Sequence, residues 1–246
     1  MMSDAKTEQK NPKVGMDDLV EDMFGLNVRG LHTIWAMYRR PARVFETARD
    51  PDWGHRRYTP SIRLVFSLLA AMTALRFLWT GEDTYLYQVT ADIVFATGDF
   101  ATRALADAFT EKLMDTFVFA FPLVFMFLHV LAALVLPLWG KGTAMVLRIR
   151  LYFLALIPGA VFSLFMTTSL GVTSETIWFV NSILMMGGVL TLDFSTAMRG
   201  GVAGQGVFGK IVRATVFALV SLFISMSTNM IAFSISSAWV TAFSEI

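Results

Sequence analysis

Residues 116–139 read TFVFAFPLVFMFLHVLAALVLPLW, a run without a single Asp, Glu, Lys or Arg. At about 1.5 Å per residue, a helix of this length exceeds the roughly 30 Å of a bilayer's hydrocarbon core. A surface helix of a soluble domain keeps a polar face, whereas this run is apolar on every side, which marks it as a transmembrane span.

Moving outward, four more runs have the same character: 61–79, 151–171, 176–198 and 214–243. Hydrophobic residues make up 55% of the 246 positions and charged ones 16%, against about 45–50% and 25% in soluble domains. The expected fold class is an all-α membrane protein, with five transmembrane helices in a membrane domain over 61–246. The first run opens some sixty residues in, after a polar leader, so it is expected to act as its own signal anchor.

A net charge of +1 conceals an alternation along the chain. Arg39, Arg40, Arg43, Arg49, Arg56 and Arg57 precede the first run, with Arg63 just inside it; Lys141, Arg148 and Arg150 fall in the second connection, and Arg199, Lys210 and Arg213 in the fourth. The first connection instead carries Glu82, Asp83, Asp92, Asp99, Asp107, Glu111 and Asp115 against Arg103 and Lys112, and the third has Glu175 alone. Because cations in short loops are retained on the cytoplasmic side, all five crossings agree on a cytoplasmic N-terminus and an outer C-terminus. The expected location is a bacterial inner membrane.

Residues 1–15 are polar and without periodicity, and are expected to form a disordered tail. Residues 16–60 form a cytoplasmic interfacial segment. Within it Val20, Phe24, Val28, Leu31, Trp35 and Tyr38 recur at helical spacing over 17–40, with acidic residues at the start and Arg39 and Arg40 at the end, which suits a helix dipole. This amphipathic helix either lies in the headgroup layer or packs on the cytoplasmic ends of the spans. Pro41 ends it or opens the next turn, and Thr59–Pro60 predicts a cap and first turn for the first span. Trp53 and Tyr58 are expected interfacial anchors, and Arg39, Arg40, Arg43, Arg56 and Arg57 expected contacts for anionic lipid headgroups.

On the outer side, Asp99 is expected to cap a surface helix carrying Phe100, Ala104, Ala108 and Phe109 on one face and running into the second span. Arg103, Asp107, Glu111 and Asp115 line another face, either as a cation-attracting or partner-binding stripe or as a solvated face with one intrahelical ion pair. In the last span, Ser225, Ser227, Thr228 and Asn229 are expected to bond to neighbouring helices and permit a bend.

Ionisable and strongly polar groups within spans are functional candidates by default, since insertion costs about 2.5–3.5 kcal/mol for Arg or Asp at a helix centre. The candidates are Arg76, His129, Asn181, Asp193 and Asn229. Arg63, Arg76 and Asp193 lie close enough to span ends to reach the interface, where Asp193 can pair with Arg63. His129 and Asn229 lie deeper, and serve either a proton or solute path or an interhelical hydrogen bond.

The stretch 204–210, GQGVFGK, spells both GxGxxG and GxxxxGK. A phosphate cradle needs a strand before such glycines, and a span precedes them here; Ile211 also stands where a P-loop needs Ser or Thr. The three histidines, His32, His55 and His129, fall in different environments, no spacing suits a metal, and there is no cysteine. The sequence therefore points to no enzyme, cofactor, metal or nucleic-acid partner. The expectation is a non-enzymatic membrane scaffold or accessory subunit binding lipids, other membrane proteins or itself; the alternative is a transporter or channel for a small solute, proton or lipid.

Residues 30–75, GLHTIWAMYRRPARVFETARDPDWGHRRYTPSIRLVFSLLAAMTAL, resemble the entry segment of a bacterial multi-pass inner-membrane family of unknown function. Arg40 and Pro41, then Gly54, Arg57, Tyr58 and Pro60, carry that likeness. The cytoplasmic N-terminal segment followed by five spans is similar to the Yip family. Both resemblances imply a multi-pass membrane protein and supply no catalytic residues.

Overall fold

A computed structural model describes residues 26–50, 58–79, 84–169 and 174–243, with side chains except at 76–79. The expected tail, the start of the amphipathic helix, Trp53, Arg56, Arg57 and the Arg76 side chain lie outside the described residues. The described chain is all-helical: α1 (Val28–Arg39), α2 (Pro41–Thr47), α3 (Ser61–Trp79), α4 (Tyr85–Ala96), α5 (Arg103–Val135), α6 (Met145–Thr168), α7 (Glu175–Arg199) and α8 (Gly206–Phe243). Four of them, α5 to α8, are long and apolar enough to cross a membrane. In α3 the apolar stretch with described side chains, Ser61–Leu75, is shorter.

The helices outrun the apolar runs because hydropathy marks where lipid would be, not where hydrogen bonding stops. α5 has 33 residues and α8 has 38, about 50 and 57 Å at 1.5 Å each, so both extend well past a hydrocarbon core. α5 nevertheless stops at Val135 rather than at 139, because Leu136 precedes Pro137 and takes an extended backbone (φ −85°, ψ 114°). α6 starts at Met145, six residues earlier than its apolar run, with Arg148 and Arg150 inside its opening turns.

α6 is the central helix. It packs against α3, α5 and α7, while α8 closes the bundle between α5 and α7. Fully buried Leu151, Tyr152, Phe153, Leu154, Ala155 and Ile157 give α6 an apolar surface satisfied on nearly all sides. Over half of its most apolar window is buried (56%), against only 6% for α7.

Two small helices dock on one end of this bundle. Asn27 caps α1 by accepting from the Gly30 N–H at 2.8 Å. Gly30, Thr33 and Met37 form the buried face of α1, while Val28, Leu31 and Trp35 stay exposed. Pro41 opens α2 at its first turn, where a missing N–H costs nothing. The expected Thr59 cap is not formed: its hydroxyl has no hydrogen-bond partner, and its N–H instead donates to Thr33 Oγ1 (2.9 Å). Thr59 thus ties the entry of α3 to α1, and Pro60 supplies the carbonyl that starts the helix, accepting from Leu64.

At the opposite end, α4 packs on the first turns of α5, and Val94, Ala106, Phe109, Leu113 and Val240 of α8 form a separate apolar cluster. Thr102, not Asp99, caps α5, its hydroxyl accepting from the Leu105 N–H. Arg103 pairs with Asp107 on its own helix (2.9 Å) and also with Asp92 of α4. It is therefore a clamp between helices as well as half of an intrahelical pair. These two hydrogen-bonded carboxylates hold the Arg103 guanidinium pKa above its ordinary value.

Candidate functional site

The arginines expected to line one face of the membrane do converge, at the end of the bundle where α1 and α2 dock. Much of their hydrogen bonding goes to main-chain oxygens. Arg148 donates to the carbonyls of Leu134, Lys141 and Thr143 at 3.0–3.3 Å; Arg150 donates to Ala48 and Asp50. Arg199 reaches the Tyr38 and Arg39 carbonyls, and Arg49 those of Phe45 and Gly201. The last carbonyls of a helix lack intrahelical partners and carry the negative end of its dipole, so a cation there satisfies both. The ends of α1, α2 and α5 are closed in this way.

The proposed headgroup contacts divide accordingly. Arg39, Arg40 and Arg43 are exposed, and the Arg39 guanidinium lies over the exposed Trp35 ring, 5.2 Å from its centroid. Tyr58 is not an exposed anchor. It is 2% exposed and stacks on His32 with ring centroids 5.6 Å apart, because the entry to α3 folds under α1.

The glycine stretch 204–210 makes a backbone turn. Gly206 opens α8 at φ +71°, a conformation favouring glycine, and Gly204 rests directly on the Gly209–Lys210 backbone. Helix α7, not a strand, precedes it, so the surroundings of a phosphate loop are missing.

The polar residues within the spans are rearranged relative to expectation. Asn229 lies on the exposed side of α8, its amide donating to its own helix at Ser225 O (2.7 Å); Ser225 and Thr228 likewise bond to carbonyls one turn back. Among the described residues their hydrogen bonds run within α8, and exposed Asn229 does not face buried His129. Asn181 ties α7 to the end of α6 through Ser169 O at 3.0 Å. Asp193 is not at the surface and does not pair with Arg63: it is 1% exposed, and neither carboxyl oxygen has a hydrogen-bond partner.

Asp193 belongs instead to a buried polar group drawn from four helices. His129 of α5 is fully buried, with Nδ1 3.1 Å from the Tyr152 hydroxyl of α6 and Nε2 without a partner. Tyr152 meets Phe217 of α8 edge-on, with ring centroids 5.1 Å apart. The Asp193 carboxyl lies against Gly159 of α6, where a Cβ would collide with it. The Ser221 hydroxyl of α8 stands near that carboxyl, although not in hydrogen-bonding geometry. His129 and Asp193 each lie six residues from the ends of their helices, and Tyr152 seven from the start of α6. Each is thus about 9–10 Å along its helix from the arginine-rich end.

Periodicity signals neither Tyr152 nor the pairing, since an apolar run that is hydrophobic on every side leaves helix rotation undefined. Near the arginine-rich end, Tyr38 of α1 donates its hydroxyl to Pro158 O at 2.8 Å, and partial burial pushes its pKa above the ordinary value. Among the described residues no group of three or more His, Asp or Glu could hold a metal. Comparison of the chain with protein-family models, with curated proteins and with solved structures finds no match.

Proposed function

We propose that this chain is a five-span inner-membrane protein that works without enzymatic chemistry, as a scaffold or accessory subunit binding other membrane proteins and anionic lipid. The exposure of α7 carries this reading. Only Asp193, Thr196 and Ala197 of its 25 residues are buried, whereas Ile177, Phe179, Val180, Ile183 and Leu184 are open. A peripheral helix in a complete bundle buries one whole face, as α5 and α8 do. α7 has fully buried residues only in its last turns, and its exposed apolar stretch is open to another apolar helix or to lipid. A separate apolar groove of about 680 Å³ lies between α3 and α5, lined by Phe66, Ala70, Phe119, Pro122 and Leu123.

Crosslinking in intact membranes followed by gentle extraction and mass spectrometry is the test, with a photoreactive residue at Ile183 or Leu184. Partner crosslinks from α7 that are missing from an outer-end control at Phe95 are expected. A monodisperse monomer with no crosslinked protein or lipid would sink the proposal.

Charge distribution supports an orientation with the arginine-rich end in the cytoplasm, since Arg148, Arg150, Arg199 and the α1–α2 segment gather there. Reporter fusions after residues 60, 145, 205 and 246 are expected to read in, in, in and out. A cytoplasmic reporter at 246 would rule out five crossings.

Transport is the second reading, favoured by the buried His129–Tyr152–Asp193 group. Asn229 has no part in it. Loss of solute or proton flux in vesicles on replacing His129 by Leu, with expression intact, is its expected signature.

A further inference from the structure

We propose that Asp193 is an intramembrane proton-binding site whose occupancy keeps the last turns of α7 closed against α6. Two observations meet here. The first is the set of unpartnered atoms: both Asp193 oxygens and His129 Nε2 are buried without hydrogen bonds. A carboxylate so placed would be a bare charge in apolar surroundings, which proteins avoid by neutralising or pairing it. The second is position. Asp193 is one of three buried residues of α7, and its carboxyl lies directly against the Gly159 backbone of α6.

The surrounding groups decide what can neutralise it. α6 presents Tyr152 and the bare Gly159 backbone, α8 the Ser221 hydroxyl, and α5 His129 by way of Tyr152. On α1, Tyr38 is bonded to Pro158 O beside Gly159. Arg148, Arg150 and Arg199 bond to carbonyls at the end of the bundle, and Asp193 makes no ion pair, its oxygens being unbonded. A metal cation would require several converging donors, and among the described residues no such group exists. A proton needs only the carboxyl oxygen that carries it.

Binding and release follow from this arrangement. With the proton on Asp193, a neutral carboxyl packs against Gly159 and the seam between α6 and α7 stays dry. When that proton leaves to bulk water, the carboxylate must draw in water or move toward it. The turns that would give way are those of α7 around Asp193. The proposal is independent of the scaffold reading, since it concerns a seam inside one chain.

The absence of cysteine allows a direct test on the full-length protein in vesicles. Infrared spectra at neutral pH are expected to show a protonated carboxyl band that disappears in Asp193→Asn. Nitroxides at Phe165→Cys on α6 and Leu184→Cys on α7, both exposed positions, are expected to report a separation that lengthens or broadens as pH rises. Since a proton bound only by the closed state favours it by mass action, the closed-to-open ratio is expected to fall by up to about tenfold per pH unit. The same labels in Asp193→Asn are expected to give the short distance at every pH. Absence of the carboxyl band at neutral pH overturns the proposal, and so does a separation that ignores pH or changes equally in Asp193→Asn. The infrared measurement stands on the wild-type protein even if the Asn variant fails to fold.

Discussion

Tyr152→Ala is expected to lower the stability of the helical bundle by about 3–5 kcal/mol, the range for removing a large buried aromatic ring. Tyr152 is fully buried in the first half of α6, beside Phe153 and Phe217 and within hydrogen-bonding distance of His129. No neighbouring loop can collapse into the space, because α5, α6 and α8 all present helical backbone there. The ring and its hydroxyl can be separated experimentally. Tyr152→Phe keeps the volume and loses one hydrogen bond, an effect of about 0.5–1.5 kcal/mol. Reversible unfolding of the purified protein in mixed micelles measures both. Equal losses in the two variants would mean that the hydroxyl, not the packing, dominates the site.

Gly200→Ala is the second change with a large expected effect, although it adds only one methyl group. A Cβ at Gly200 would lie 2.6 Å from two atoms of the Phe45 ring, well inside van der Waals contact. That ring cannot swing aside: Phe45 is fully buried and stacks against Trp139 at 6.3 Å between centroids. A cost near the top of the usual 1–3 kcal/mol for overpacking is expected. Room made on the other side relieves it, so Phe45→Leu combined with Gly200→Ala is expected to be more stable than the sum of the two single losses implies. Strict additivity would show that the contact between α2 and the end of α7 is not what limits the substitution.

These positions also show where sequence reasoning reaches and where it stops. The long apolar stretches were legible because lipid demands them on every face. That same uniformity hides helix rotation, and Asn229, facing outward, and Asp193, facing inward, could not be told apart in advance. α4 was legible in principle, since Tyr87, Thr90, Ala91 and Val94 recur at helical spacing after the Thr84 cap. The expected surface helix began only at Asp99, so α4 is an addition to it. Tyr58 has the composition of an interfacial anchor, and only the fold of the chain beneath α1 buries it. Helix ends were legible where a proline intervened, as at Pro41, and displaced where polar residues continued a helix beyond the apolar run, as in α6 and α8.

The arginine collar has a consequence for how this end of the molecule meets ions. A guanidinium bonded to a carboxylate forms a neutral pair, but one bonded to a carbonyl gives up donors while keeping its full charge. Arg148 and Arg199 are thus held in place as fixed positive points, much like dopants in a lattice, with their geometry set by the main chain. Their combined field extends outward over a Debye length of about 8 Å at physiological ionic strength. It can concentrate anions at the surface without any of these side chains leaving the protein to touch one.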